Sequence, residues 1–211
     1  MSNEIKNIVF DFNGVISKSK VKDLINQVSF KDVCSLVCFG FSYLTKSGFR
    51  KNIARLSKAL KTGQCSSEEF YEQFDYSLPN NSQIIQKLLD TYINSMQTRE
   101  GLIQLIDYLR NNGFKVFILS NSIPQTEIII KSESISSHFD GIYCSNEHGL
   151  AKPDPSIYKH ACELWGILPE ESIFVDDKKE NVLGAEKAGF KKAYYLTKED
   201  DIIMQVSQCV L

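Results

Sequence analysis

The chain reads as an α/β protein, a doubly wound parallel sheet with a smaller all-helical module inserted after its first strand. Three observations predict this. Short apolar runs rich in β-branched and aromatic residues recur along the chain, and beyond about residue 98 they alternate with helix-length segments. Between residues 18 and 96 that alternation stops, and only helix-compatible pieces appear. With 211 residues, the chain is long enough for one main domain and a small appended one.

The first predicted strand covers 7–10, and its successors cover 115–119, 141–144, 172–175 and 193–196. All are near-continuous apolar runs, as expected of strands buried on both faces. The insertion offers helical pieces at 20–28, 49–61, 67–75 and 82–95, divided by Gly63 and by Pro79-Asn80-Asn81. Its boundaries fall near Ser17 and Gln97, so the expected division is 1–17 with 97–211 for the α/β core and 18–96 for the helical module. Core helices are predicted over 99–112, stopped by Gly113, and over 124–134, 155–166, 178–189 and 199–207. Asp154 before Pro155 is an N-cap followed by a first-turn proline.

Composition narrows the function. A hydrophobic fraction of 43% with 24% charged residues is that of an ordinary soluble globular chain. A net charge of -2 provides no electrostatic footprint for nucleic acid or an acidic membrane, although a small anion held by local donors is compatible with it. Met1 to Lys6 are polar and lead straight into a short strand, which does not suit a secretory signal, and no apolar run approaches the roughly 20 residues that span a bilayer. Cys34, Cys38, Cys65, Cys144, Cys162 and Cys209 form no CxxC pair, so reduced thiols in a cytosolic (cytoplasmic) protein are expected rather than a zinc site. His138, His148 and His160 show no ligand spacing and are expected at the surface or at caps. Neither a GxGxxG nor a GxxxxGK[ST] phosphate loop is present, which removes support for a dinucleotide oxidoreductase or a P-loop kinase.

Chemistry concentrates where predicted strands end, and open α/β sheets bind ligands beyond the carboxyl ends of their strands. Asp11 ends the first strand, Ser120-Asn121 the second, Lys152 lies in the loop after the third, and Asp176-Asp177 ends the fourth. Two adjacent carboxylates repel unless a cation is present, and Mg²⁺ favours one or two carboxylates with substrate oxygen and water; the structural alternative is a capped start to the helix near Lys178. The Ser120 hydroxyl and the following amide could hold a phosphoryl oxygen, or Ser120 could merely close a turn. Lys152 could neutralise a transferring phosphoryl group, or be one more solvated lysine.

Taken in order, Asp11-Phe12-Asn13-Gly14-Val15, Ser120-Asn121, Lys152-Pro153 and Asp176-Asp177-Lys178-Lys179-Glu180-Asn181 resemble the four motifs of the haloacid dehalogenase superfamily, in its phosphatase-like branch with a helical cap. The resemblance covers nearly the whole chain. It implies a Rossmann-like core and transfer of a phosphoryl group to Asp11, giving an aspartyl-phosphate that water hydrolyses. It further implies magnesium (Mg²⁺) held by Asp11, the backbone carbonyl of Asn13 and Asp177, with Asp176 nearby, and phosphoryl oxygens bound by Ser120, Asn121 and Lys152. Gly14 would allow a sharp turn beside the phosphate, and Asn181 would orient its neighbours. Asn13 departs from the pattern: the family carries an aspartate there that protonates the leaving group and activates water, and an amide does neither. The expectation is therefore an impaired phosphomonoester hydrolase of a small phosphorylated metabolite, acting as a monomer or homodimer without nucleic acid or membrane. Two alternatives stay open, a weakly catalytic relative that binds a phosphorylated ligand or a partner, and a 2-haloacid dehalogenase; Asp176-Asp177 argues against the second. In the helical module, Phe39, Phe41 and Tyr43 are expected to build its own core or to meet substrate, and Arg50, Lys51 and Arg55 to meet a second anion or form a solvated face.

Overall fold

The computed structural model describes residues 4–19, 47–75, 81–99, 101–196 and 202–210. The expected helix at 20–28, Phe39, Phe41, Tyr43, Cys34 and Cys38 lie outside the described residues, as do the side chains of Arg50 and Cys209.

Strand β1 (Asn7–Phe10) leads through a tight loop to β2 (Ser17–Ser19). Helices α1 (Ser47–Lys61), α2 (Ser67–Asp75) and α3 (Asn81–Asn94) follow, and then β3 (Met96–Thr98). The remainder alternates: α4 (Leu102–Asn111), β4 (Lys115–Ser120), α5 (Pro124–Ile130), α6 (Glu133–Ser136), β5 (Gly141–Cys144), α7 (Ser145–His148), α8 (Pro155–Trp165), β6 (Ser172–Asp176), α9 (Lys179–Lys187), β7 (Lys192–Tyr195) and α10 (Ile202–Val210).

The five long-predicted strands form one parallel sheet in the order β5-β4-β1-β6-β7, with Phe10 opposite Ile118 and Val175. Alternation of side chains sends Ile8 and Phe10 into one layer with Ile118, Val175, Leu102 and Ile106, and Val9 into the other with Leu119, Phe174, Ile157 and Ala185. All are buried, and each valine, leucine, isoleucine or phenylalanine among them contributes about 1.5–3 kcal/mol as an upper estimate. This two-sided burial makes β1 the central strand. The chain runs from β1 to β4 and β5 on one side and then crosses to β6 and β7 on the other, so the carboxyl ends of β1 and β6 flank the switch point.

Several details differ from expectation. The antiparallel pair β2–β3, with Ser17 opposite Thr98, is too short and polar to show in the sequence. The helix expected from 99 begins at Leu102, because Arg99 donates its backbone N–H to Ile16 O (2.9 Å) and Gly101 takes a left-handed conformation (φ 76°). The helix expected over 124–134 divides, with the Ser132 hydroxyl donating to Ile129 O at 2.7 Å between the two parts. The last helix covers Ile202–Val210 and so runs past the expected end at 207; residues 199–201 lie outside the described residues. Asp154 caps α8 as expected, accepting from the Ser156 amide at 2.9 Å. Cys144 and Cys162 are buried free thiols. Among the described residues no helix is long and apolar enough to cross a membrane.

The helices between β2 and β3 dock on the carboxyl end of the sheet. The Ser145 hydroxyl donates to Lys61 O (2.6 Å), and Gln125 donates to Ser67 Oγ (3.1 Å). At Gly63 (φ 64°) a Cβ atom would lie 2.1 Å from Asn146 O, so only glycine permits this approach.

Candidate active site

Asp11, Asp176 and Asp177 converge, each offering an oxygen within 4.8 Å of the other two. The sheet sets this geometry. The Asp11 amide donates to Val175 O (2.8 Å), which fixes the residue after β1 against the end of β6. Between the carboxylates stands Lys152, whose side chain is 1% exposed. Its ammonium donates to Asp11 Oδ1 (2.7 Å), Asp176 Oδ2 (2.8 Å) and Leu119 O (2.8 Å), using its three protons. Lys152 is therefore a buried counter-ion, and the solvated-lysine alternative falls.

The two adjacent aspartates have different duties. Asp176 accepts from Lys152, from the Lys178 amide (2.8 Å) and from Asn181 Nδ2 (3.0 and 2.9 Å). It thus closes a turn before α9 and also holds Lys152; the helix's N-cap is Lys178, with no side-chain cap, so the capped start expected as the alternative is not formed. Asp177 is left freer. Among the described residues, the buried side-chain polar atoms without a hydrogen-bond partner are Asn13 Oδ1, Ser120 Oγ and Asp177 Oδ1. All three lie at this end of the sheet. Buried polar atoms are normally paired, and each left unpaired costs about 1–3 kcal/mol, so their grouping marks a place built for a ligand. Ser120 does not close a turn through its hydroxyl.

Electrostatics agree. Burial pushes the Asp11 carboxyl up from 3.8 to about 7; Lys152 opposes the shift, while Asp176 and Asp177 add to it. Burial, then Asp176, raises Asp177 as well. Burial works against the Lys152 charge, but Asp11 and Asp176 outweigh it and hold the ammonium above its ordinary range. Three carboxylates around one ammonium leave an excess of negative charge, which a divalent cation would offset. Asp11, Asp176 and Asp177 bring carboxylate oxygens together, with Asp177 Oδ1 unpaired, a hard-oxygen donor set that suits Mg²⁺.

The loop after β1 is held by residues far along the chain. Gly14 takes φ 90°, and a Cβ there would stand 2.1 Å from Asp177 Oδ2, so its role is close approach to a carboxylate as well as the turn. Arg99, not singled out from sequence, donates through Nε to Val15 O (2.9 Å) and through Nη2 to Gly14 O (2.6 Å). Asn121 uses its side chain as a clamp: Nδ2 donates to Lys152 O and the Lys152 amide donates to Asn121 Oδ1, both at 2.8 Å. Asn181 is placed by contact with Asp176 and by Tyr158, whose hydroxyl donates to Asn181 O (2.7 Å).

Elsewhere, His148 and His160 bracket the buried Tyr143, whose hydroxyl lies 2.8 Å from His160 Nδ1, and His138 Nδ1 lies 2.7 Å from Asp107 Oδ1. All three are partly exposed and have structural partners, and His148 lies in the last turn of α7. Arg55 lies at a cavity beside the site together with Lys58 and Lys61, which the sequence reading passed over; Lys51 is exposed.

Comparison with known proteins agrees with this geometry. The family model of the haloacid dehalogenase-like hydrolases matches residues 5–189. A D-ribitol-5-phosphate phosphatase of Bacteroides thetaiotaomicron is 24% identical over 89% of this chain and 90% of its own length. A sesquiterpene phosphatase of Aspergillus oryzae is 24% identical over 100% of this chain and 99% of its own. An Asp-to-Ala mutant of a haloacid dehalogenase family enzyme from Bacteroides thetaiotaomicron, solved in complex with magnesium and inorganic phosphate, superposes with a TM-score of 0.70 at 19% identity, covering 93% of this chain and 96% of that one.

Proposed function

The chain belongs to the haloacid dehalogenase-like hydrolases, and from that membership we propose a Mg²⁺-dependent phosphomonoester hydrolase acting on a small phosphorylated metabolite through Asp11. The observation that carries the proposal is the buried Asp11–Lys152–Asp176 arrangement beside the unpaired Ser120 hydroxyl and Asp177 oxygen. The phosphatase names of the full-length relatives support phosphate esters as the substrate class.

An Asp11 oxygen attacks phosphorus as the bond to the leaving oxygen breaks, and water later hydrolyses the acyl phosphate to free phosphate and the original carboxylate. Ser120, the Asn121 amide and Lys152 bind the phosphoryl oxygens. Asp11, the Asn13 carbonyl and Asp177 would hold Mg²⁺, with Asp176 behind them. Bound there, the ion supplies charge for the developing negative oxygens. A backbone carbonyl is indifferent to the side chain at 13, so metal binding survives the asparagine. Proton transfer does not: Asn13 can donate a hydrogen bond to the leaving oxygen but cannot protonate it, nor take a proton from water. Aryl phosphates, whose leaving groups need no proton, suffer least. The helices of 18–96 act as the cap, closing the site to water, and the setting is the cytosol, as a monomer or homodimer.

The test is mass spectrometry of the chain mixed with p-nitrophenyl phosphate and Mg²⁺, beside turnover of the Asn13→Asp variant. Phosphate on Asp11 is expected, and turnover in the variant is expected to rise by about 10²–10⁴-fold, the usual contribution of a general acid–base. An unphosphorylated Asp11 with an inert variant would refute the proposal. Chloride release from a 2-haloacid in EDTA would point to the dehalogenase instead.

A further inference from the structure

A cavity of about 1010 Å³ lies between the second half of α1 and the loop 149–155. Its lining includes Asn121 and Lys152, so it lies beside the catalytic site. Arg55, Lys58 and Lys61 line it from α1, at the three-residue spacing that places side chains on one helix face. The docking contacts at Lys61 O and Gly63 fix the end of that helix against the catalytic end of the sheet. Among the described residues the carboxylate in the lining is Asp154, which accepts from the Ser156 amide and hydroxyl (2.9 and 2.7 Å) and is also stabilised by the Lys58 charge. Arg55 donates to Asn52 Oδ1 (3.0 Å), and among the described residues none of the three cations forms an ion pair with a carboxylate.

Lys61 is the most constrained of the three. It is partly buried, and burial together with the nearby Lys178 ammonium pushes its pKa down. A purely structural lysine in such a place is ordinarily given an acid to pair with, because a partly desolvated ammonium near a like charge is costly. Among the described residues no carboxylate forms an ion pair with Lys61, which leaves its ammonium open to an anionic ligand.

We propose that this cavity binds a second anionic group carried by the alcohol part of the substrate, so that the favoured phosphate esters are those of anionic alcohols and not of neutral polyols. The proposal rests on the phosphatase reading and deepens it. The phosphoryl group sits against Ser120 and Lys152, the second anion lies between Lys58 and Lys61, and the volume suits a small metabolite. A carboxylate and a second phosphate share the chemistry that these cations recognise.

The experiment compares steady-state kinetics of phosphoglycolate, ethylene glycol bisphosphate and 2-hydroxyethyl phosphate in the Asn13→Asp background, with p-nitrophenyl phosphate as reference. These esters are similar in size and present a carboxylate, a phosphate or a neutral hydroxyl at the far end. At least one charged ester is expected to exceed the neutral one in kcat/KM by about tenfold or more, through KM, as a charge-assisted contact predicts. Lys61→Gln should lower that preference by about tenfold, Lys61→Arg should retain most of it, and Lys115→Gln, at the other end of the sheet, should leave it intact. The inference is overturned if charged and neutral esters are turned over equally, or if Lys61→Gln affects all of them alike. If none of the esters is turned over, p-nitrophenyl phosphate included, the phosphatase reading fails and takes this inference with it.

Discussion

At the amino end of the central sheet the polar groups are matched. Asn7 donates to the Ser172 hydroxyl (3.1 Å), Lys6 pairs with Glu171 (2.9 Å), and Asp140 accepts from the Val116 amide (2.8 Å) and from Arg110 (3.2 Å). The carboxyl end of the same strands gathers three carboxylates around one ammonium and leaves Asn13, Ser120 and Asp177 with unpaired buried atoms. The same hydrophobic layers support both ends. The contrast teaches that polar groups are paired within the chain at one end, while the other holds excess negative charge and unpaired atoms that the proposed cation and phosphate would complete.

The comparison breaks most visibly at Lys152. Replacing it with Met removes the charge that offsets Asp11 and Asp176 and leaves both buried without it. Loss of one partner from a buried ion pair costs about 3–5 kcal/mol. Lys152→Met should therefore lower the denaturant midpoint by that equivalent and abolish phosphorylation of Asp11. A variant as stable as the parent, read by urea titration in EDTA, would show that the carboxyl end does not depend on this lysine.

Much of this end was legible from residues alone. Asp11, Ser120 and Asp176 each follow an apolar run, and the acidic pair at 176–177 suggested a cation, with a capped helix start as the alternative. What stayed hidden depends on contacts between distant segments. Arg99 carries no local sign that it binds the carbonyls of Gly14 and Val15, some 85 residues away. The side chain of Asn121 could equally have capped its own turn, and it clamps Lys152 only because β4 and the loop after β5 end side by side. The helix expected over 124–134 failed for a local reason, since a serine hydroxyl competes for the helix's own carbonyls. On α1, charge periodicity identified Arg55 but not the Lys58 and Lys61 that continue its face, because only the docking of Gly63 on Asn146 shows which face meets the core.

Gly14 sharpens the comparison at smaller scale. A methyl group there collides with the Asp177 carboxylate and is placed on a backbone that side chains rarely adopt (φ 90°). Gly14→Ala is expected to cost about 1–3 kcal/mol, the usual range for strained backbone or overpacking. It should also remove the thermal shift produced by Mg²⁺, since Asp177 must move. Retention of that shift would separate Asp177 from the metal.

The two ends should respond with opposite signs when a carboxylate is removed. Asp140→Ala deletes two hydrogen-bond acceptor contacts at the amino end and should destabilise by about 1–2 kcal/mol. Asp177→Asn removes a charge that Asp11 and Asp176 repel, so the Mg²⁺-free protein should gain up to about 1 kcal/mol while losing its response to Mg²⁺. Calorimetry of both variants in EDTA decides the matter, and equal signs would remove the distinction between the ends.

The last expected effect is a pH dependence confined to the carboxyl end. Asp11 and Asp177 keep their protons to higher pH when folded than when unfolded, so folding takes up protons between the ordinary carboxyl value of 3.8 and about 7. In EDTA, stability should thus be greatest at the acid side of that window and fall as pH rises through it, by about 1.4 kcal/mol for each pH unit by which a carboxyl's titration is raised. Excess Mg²⁺ should reverse the slope, because a cation binds the ionised carboxylates and competes with their protons. Asp11→Asn should flatten the EDTA profile, whereas Asp140→Asn, which leaves the crowded carboxylates untouched, should preserve it. An EDTA profile that rises with pH in the parent would mean that the amino-end pairs dominate acid stability, and that crowding at the carboxyl end is weaker than its geometry implies.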